Sequence, residues 1–325
     1  MEVLVTGASG FLGSHVAEQL VGEGHRVRLL LRKTSSRQFL SFSHEERLGD
    51  ITDVGSLVDA VNGVGAVVHA AGLVKARNEA EFAAANTLGT ANLLSAIRQS
   101  NPDLGRFVYV SSLAAHGPSA DGSPRDVHAP PNPITAYGRT KLAGEDLTRN
   151  SSIAARSVVI RPPAIYGPRD SALVPFFQLA RFRLAPLLMG GRNRISIVYV
   201  EDVARAIVQA ISSEASGGKV YCPEDGAVHT WRDLQGAVER AVGHRAVRMN
   251  APRWTFTVAA VASEAVGFLK RRAVSLTREK VRELAQPHWV CSGEDLRRDL
   301  DWSPRVTIRE GAALTYDWYR KHRWV

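Results

Sequence analysis

The chain has 325 residues, 45% of them hydrophobic and 22% charged, ordinary globular values that exclude intrinsic disorder and fibrous repeats. No apolar run reaches the roughly 18–20 residues that cross a bilayer, and the first residues carry no basic and then apolar leader for secretion. Forty-one basic residues against 32 acidic ones give a net charge of +9, which points to an anionic ligand or surface. The basic excess gathers at Arg192 and Arg194, at Lys270-Arg271-Arg272 and from Arg320 to Arg323. None of these clusters has interleaved aromatics, and the chain has no helix-turn-helix or zinc signature, so no nucleic-acid partner is expected. Cys222 and Cys291 match neither a disulfide framework nor a metal-ligand spacing. They read as reduced thiols in a cytoplasmic protein without a metal site.

Apolar, β-branched runs alternate with helical patterns through the first two-thirds of the chain. Strand Glu2–Thr6 leads into helix Phe11–Glu23, strand Arg26–Leu31 and a short third strand ahead of Gly49. Helix Asp53–Val61, strand Ala66–Ala70, helix Glu79–Ser100 and strand Arg106–Ser111 follow, then helix Thr135–Arg149 and strand Arg156–Ile160. Near-continuous apolar strands such as Val3–Val5 predict burial on both faces, as in a parallel sheet. The alternation predicts an α/β, doubly wound (Rossmann) fold. From about Pro162 prolines and glycines multiply, and a late helix at Glu201–Ser213 is expected to return to the main sheet. Residues 1–163 are therefore expected to form the main domain. Residues 164–325 would mainly form a smaller C-terminal substrate-binding lobe that does not fold independently.

The first strand–helix junction reads Thr6-Gly7-Ala8-Ser9-Gly10-Phe11-Leu12-Gly13. Glycines at three-residue spacing permit a tight turn, a close approach of backbone N–H groups to a pyrophosphate and close packing of helix on strand. The helix N-terminus adds partial positive charge, so residues 1–163 are read as a dinucleotide-binding domain. The second strand ends Leu29-Leu30-Leu31-Arg32-Lys33 and lacks the acid that NAD-binding units use on the adenosine ribose. Arg32 and Lys33, with Ser35, Ser36 and Arg37 behind them, suit a 2′-phosphate. NADP(H) is thus expected ahead of NAD(H), although an Arg32 that only stacked on adenine would be indifferent to the phosphate. In Gly49-Asp50-Ile51, the Asp50 carboxylate could accept the adenine amino group. Ala70, Ala71 and Gly72, after His69, leave room for the nicotinamide ribose.

Tyr137-Gly138-Arg139-Thr140-Lys141 opens a predicted helix and sets Tyr137 and Lys141 one turn apart on one face. A free phenol, with a pKa near ~10, is a poor base at neutral pH, and a neighbouring ammonium lowers it. Ser111-Ser112 closes the fifth strand, at the carboxyl edge where open α/β sheets bind ligands.

The glycine loop, Asp50, His69-Ala70-Ala71-Gly72, Asn86, the Ser-Ser strand end and Tyr-x-x-x-Lys occur in order. With these the chain resembles an extended short-chain dehydrogenase/reductase of the NAD(P)-dependent epimerase/dehydratase superfamily. The resemblance implies that Ser112, Tyr137 and Lys141 are the catalytic trio. Ser112 is chosen over Ser111 because it stands 25 residues before Tyr137. It also implies that Tyr137 exchanges a proton with the substrate oxygen, that Ser112 hydrogen-bonds that oxygen, and that Lys141 holds the nicotinamide ribose. Asn86 would order the neighbouring helix, though polar core packing accounts for it equally. Pro162, Ala164 and Ile165, in Arg161-Pro162-Pro163-Ala164-Ile165-Tyr166-Gly167-Pro168, would line the cofactor. A homodimer is a further implication.

Departures from the family pattern narrow the branch. Ala164 stands where sugar-nucleotide epimerases carry asparagine, and Ile195 where they carry an arginine for the diphosphate. Leu113-Ala114 replaces the Asp–Glu pair of the 4,6-dehydratases, and His116 replaces a tyrosine and is read as a loop residue. What remains is similar to the 3β-hydroxysteroid dehydrogenase and dihydroflavonol reductase branches, which act on ketones and alcohols of apolar molecules. Val74, Leu113, Ala114, Ala164 and Phe176 would then contribute to an apolar wall against a hydrophobic small-molecule substrate. A sugar-nucleotide epimerase with transiently reduced NAD and a non-catalytic nucleotide-sensing regulator are the rival readings. Finally, Trp254–Leu269, apolar at helical spacing and followed by Lys270-Arg271-Arg272, suits a peripheral membrane contact, a lid or an oligomer contact.

Overall fold

Strands β1 (Glu2–Thr6), β2 (Arg26–Leu31), β3 (Glu45–Leu48), β4 (Ala66–His69), β5 (Arg106–Val110) and β6 (Ser157–Ile160) pair in the order β3-β2-β1-β4-β5-β6. Val220–Tyr221 adds a seventh strand beside β6, and every pairing is parallel. This computed structural model describes residues 1–325, the side chains of Leu188 and Met189 excepted. Because side chains alternate along a strand, Val3 and Val5 face one layer and Leu4 the other. Val3, Val5, Leu29 and Leu31 meet helices α1 (Phe11–Gly22) and α8 (Val200–Ser212). Leu4, Val67, Phe107 and Tyr109 meet α2 (Val54–Val61) and α4 (Gly89–Ser100) on the opposite face. This is the doubly wound sheet that the alternating pattern predicts.

The expected helix from Glu79 to Ser100 forms, with an interruption that its composition does not announce. After α3 (Glu79–Phe82), residues Ala83–Leu88 take up a π-helical turn before α4 continues. Such single-turn insertions reset which side chains face inward, and this one carries Asn86. The predicted starts at Asp53 and Thr135 are caps rather than first turns. Asp53 accepts from the Gly55 N–H at the head of α2, and Thr135 from the Gly138 N–H at the head of α6 (Ala136–Arg149). Between β5 and α6 stands one short turn, α5 (Leu113–His116), capped by Ser112.

Beyond β6 the strands are short and local. Ala164–Tyr166 pairs with Ile197–Tyr199, Arg194–Ile195 with His229–Thr230 and His288–Trp289, and Leu184–Leu188 with Val247–Ala251. Helices α7 (Val174–Arg181), α9 (Trp231–Val242), α10 (Arg253–Leu269) and α11 (Arg278–Leu284) belong to the same region. The C-terminal segment also closes the main core. Trp302 is fully buried with Leu296 and Leu300 among the residues of β1, α1 and α8. Its Nε1 donates to the Asp202 carbonyl at 3.1 Å, while the Asp202 carboxylate accepts from the Arg305 and Val306 N–H groups.

Candidate active site

The strand order reverses between β1 and β4, and the loops that follow the two strands touch there. Gly7 has φ +76°, and a Cβ on it would stand 2.6 Å from Ala71 N and 2.7 Å from the Ala70 carbonyl carbon. Only glycine closes the crevice this tightly. A Cβ on Gly13 would meet the Gly7 carbonyl oxygen at 2.2 Å, which explains the third glycine as helix-to-loop packing. Gly10 caps α1 with no side-chain hydrogen bond and no acid in the first turn. The first N–H groups of α1 therefore remain available to an anion. Ser9, Gly10, Phe11 and Leu12 lie around that helix start.

At the carboxyl end of β2, Arg32 and Lys33 are exposed. Arg37 is not available in the same way, because its guanidinium is paired with Glu46 at 2.8 Å. After β3, Asp50 accepts from the Thr52 N–H and hydroxyl at 2.9 and 2.8 Å. The backbone hydrogen bond from Thr52, above all, holds its carboxyl below the usual carboxylate range, with the Thr52 hydroxyl and Arg32 adding to the effect. Ile51 turns the other way, onto Gly89 of α4.

A buried chain of hydrogen bonds fixes the segment after β4. Ala71 N donates to Thr6 Oγ1 at 3.2 Å, Thr6 Oγ1 meets His69 Nδ1 at 2.8 Å, and His69 Nε2 meets Thr90 Oγ1 at 3.0 Å. Thr90 in turn donates to the Asn86 carbonyl at 2.7 Å. Burial pushes His69 down to about 3, so the imidazole is neutral and works as a staple. The Asn86 amide, brought inward by the π turn, grips the same segment from outside. Its Oδ1 accepts from Leu73 N at 2.8 Å, and its Nδ2 donates to Leu73 O and to Thr140 Oγ1 of α6. A Cβ on Gly72 would lie 2.8 Å from Asn86 Oδ1 and 3.9 Å from Lys141 Nζ. Gly72, Asn86 and Lys141 thus converge.

The two serines that end β5 diverge. Ser111 is buried, its N–H on Ile160 O at 2.7 Å and its hydroxyl donated to the Glu145 carboxylate. The Ser112 hydroxyl accepts from Ala114 N at 3.1 Å and reaches the Tyr137 phenol. Burial pushes that phenol up to about 12, the Ser112 hydrogen bond opposes the shift, and Glu283 of α11 adds to it. The Tyr137–Lys141 spacing suggested a phenol made acidic by its lysine. In the protein alone the phenol instead stands above its ordinary value, because burial outweighs the Ser112 hydrogen bond. Lys141 is itself buried, its Nζ 4.2 Å from the centre of the Tyr109 ring. Burial pushes its amine down to about 7, with Glu145 opposing.

The lowered Lys141 value has a direct consequence for stability. Between about 7 and the ordinary lysine value of 10.5, the unfolded chain holds a proton that the folded one lacks. The contribution of Lys141 to stability therefore rises with pH across that window and is lost as pH falls through about 7. Urea unfolding of the native protein should show this rise, and Lys141→Met should flatten it. The Lys141→Met protein should also be at least as stable as the native one at pH 7 while losing turnover.

Beneath the trio lies a network that the sequence reading did not single out. Arg161, at the end of β6, is 2% exposed and pairs with Glu145, which is fully buried. Its Nε donates to Glu145 Oε1 and Oε2 at 3.0 and 3.1 Å, and its Nη1 to Val127 O at 3.0 Å. The signal was in the sequence, since Glu145 continues the Tyr137, Lys141 series by one more turn. His116, read as a loop residue, is buried with Nε2 on Ala129 O at 3.2 Å, and burial pushes it down to about 4.

The apolar wall divides. Leu113 packs in a small core cluster with Val127, Cys222 and Cys291, so it does not line an open surface. Val74 is 77% exposed, Ala164 is exposed and Ala114 is buried. Phe176 stacks on Trp231, with ring centres 6.0 Å apart. Pro162 accepts from Leu113 N at 2.8 Å, and Ile165 pairs with Val198 in the short strand beyond.

Residues 3–222 match the family model for the NAD dependent epimerase/dehydratase family. The chain is 29% identical to the ceramide reductase of Caulobacter vibrioides, over 99% of this chain and 96% of that one. It is 32% identical to the 2-alkyl-3-oxoalkanoate reductase of Stenotrophomonas maltophilia, over 96% and 97% of the two chains. Among solved structures, the UDP-glucose 4-epimerase of Thermus thermophilus in complex with NAD aligns at a TM-score of 0.78 and 25% identity, covering 98% of this chain and 99% of that one.

Proposed function

The chain belongs to the NAD dependent epimerase/dehydratase family and is an NAD(P)-dependent oxidoreductase of the extended short-chain dehydrogenase/reductase type, and from that premise we propose that it reduces a ketone on a hydrophobic small molecule with NADPH. The observation that carries this reading is the Tyr137 phenol, protonated up to about 12 and in reach of the Ser112 hydroxyl. Reduction of a carbonyl needs a proton donor at rest, and this is one. Relatives named as a ceramide reductase and a 2-alkyl-3-oxoalkanoate reductase support the substrate class.

The residues present fit a nicotinamide dinucleotide. The uncapped start of α1 suits its pyrophosphate, Arg32 and Lys33 a 2′-phosphate, Asp50 the adenine, and the Gly72–Asn86–Lys141 corner the nicotinamide ribose. When bound, the reduced nicotinamide supplies a hydride. Tyr137 gives its proton to the ketone oxygen, and Ser112 Oγ donates a hydrogen bond to the same atom. Lys141 Nζ would hold the ribose hydroxyls and, when charged, would favour the phenolate that Tyr137 leaves behind. Tyr137 then regains its proton from solvent, so one ketone, one NADPH and one proton yield one alcohol and one NADP+. Residues 164–325 supply most of the substrate side, with Val74, Ala114, Ala164 and Phe176 as its proposed apolar contacts.

The epimerase rival fares worse at Ile195, which is 3% exposed among Tyr166, Ile197 and Tyr199 and offers a diphosphate nothing. A regulator would have no use for a proton-transfer pair such as Tyr137 and Lys141. The cofactor preference is tested by Arg32→Ala. The affinity for NADPH, read by fluorescence titration, should fall about tenfold while that for NADH stays level. An equal response of the two would remove the 2′-phosphate reading and leave the fold assignment intact.

A further inference from the structure

Helix α10 turns an apolar stripe outward. A helix on a protein surface buries its apolar stripe and exposes its polar one, yet here Trp254, Val258, Val261 and Phe268 are 67, 61, 49 and 85% exposed. Their spacing, with exposed Ala265 between, traces one continuous stripe along the outer face. Val266 and Leu269 widen it, at 48 and 80% exposed. The inner face carries one large apolar side chain, the partly buried Phe256, and is otherwise small or polar, with Ala260 and Gly267 buried and Ser263 and Glu264 partly so. The stripe ends at Lys270-Arg271-Arg272, all three exposed. Residues 253–284 hold seven basic side chains against three acidic ones.

The helix is also tied to the site. Glu264 accepts from Arg278 N at 2.8 Å and pairs with the Arg278 guanidinium at 2.7 Å, joining α10 to α11. From α11, Glu279 accepts from Ala136 N at 3.2 Å, and Arg282 donates to Ile134 O. Ala136 is the residue before Tyr137, and Glu283 of α11 acts on the Tyr137 phenol itself.

We propose that α10 is a membrane-docking element, lying with its apolar stripe in the surface of an anionic lipid bilayer and Lys270-Arg271-Arg272 on the headgroups, so that Tyr137 works beside the membrane that dissolves its substrate. No helix among the described residues is long and apolar enough to cross a membrane, so the contact is peripheral. An apolar face bordered by like charges and aromatic ends is what an interfacial helix presents. A second copy fits less well. Antiparallel packing of two such helices would set each basic cluster against the arginine that opens the other helix, and no acid stands on the stripe to answer either.

The importance of the contact rests on the hydrophobic-ketone reading above, whereas the contact itself is tested without turnover. The full-length protein is to be floated with vesicles of about one-third phosphatidylglycerol in phosphatidylcholine, and with phosphatidylcholine alone. The bound fraction should be about tenfold higher on the anionic vesicles and should fall with added salt. Phe268→Asp with Leu269→Asp, and separately Lys270→Gln with Arg271→Gln and Arg272→Gln, should each lower it about tenfold. These side chains are exposed, so NADPH titration should show unchanged affinity and certify the fold of each variant. Wild-type protein that ignores anionic vesicles, or variants that bind as well as wild type, would overturn the proposal. So would variants that only turn a dimer into a monomer, since the stripe would then belong to a second copy. Reduction of a short water-soluble ketone by the same variants reports separately on the reductase reading.

Discussion

Tyr137→Phe is expected to lower turnover by about 100- to 10,000-fold while leaving NADPH affinity and thermal stability near their native values. The substitution removes one hydroxyl, on which the Ser112 hydroxyl acts to lower its pKa. The ring itself sits against Phe82, with centres 6.0 Å apart, and that packing survives. The loss therefore falls on the proton delivered to the ketone oxygen. Because the phenol is pushed up to about 12, the reductive rate of the native protein should not fall on the alkaline side before the Lys141 amine, near 7, loses its charge. A Tyr137→Phe protein that reduced the same ketones at the native rate would remove Tyr137 from the chemistry.

Glu145→Ala should cost about 3–5 kcal/mol of stability, measured by urea unfolding at pH 7. The change strands the Arg161 guanidinium, 2% exposed, with Val127 O as its remaining partner. It also removes the acceptor of the Ser111 hydroxyl. A buried charge without its partner is among the costliest single defects a fold can carry. Replacing both members, as Glu145→Met with Arg161→Met, should recover much of the loss, because no unpaired charge is then left inside. The effect on activity runs through position. Glu145 lies one turn below Lys141 and holds its amine up against burial, so the milder Glu145→Gln should shift the pH profile downward in a protein that still folds. Stability unchanged in Glu145→Ala would contradict the burial of this pair.

Much of the crevice between the loops after β1 and β4 was legible because it is built from local rules. Gly7 and Gly13 sit where a Cβ would strike backbone, and a strand, a tight turn and a helix in succession announce that constraint. Asp53 and Thr135 were legible as helix boundaries for a similar reason, since capping residues compete with the helix for its own N–H groups. The π turn at Ala83–Leu88 was not. One extra residue in a helix leaves no mark in composition, although it determines where Asn86 points. Arg161 and Glu145 escaped because charged residues are read by default as solvated, and their burial depends on β6 and α6 packing across the sheet. The wall assigned to Leu113 failed through rotation. α5 is a single turn whose facing no periodicity can establish, and it sends that side chain into the core. The outward apolar stripe of α10 was legible as an apolar helix, but its facing became visible only with the lobe assembled around it.

The most direct measurement follows the label from NADPH carrying deuterium at the transferable position of the nicotinamide, supplied to the protein with a long-chain ketone. One deuterium on the carbinol carbon for each NADPH consumed is the predicted result. Deuterium retained on the cofactor, with no net oxidation and a UDP-sugar interconverted instead, would contradict the account.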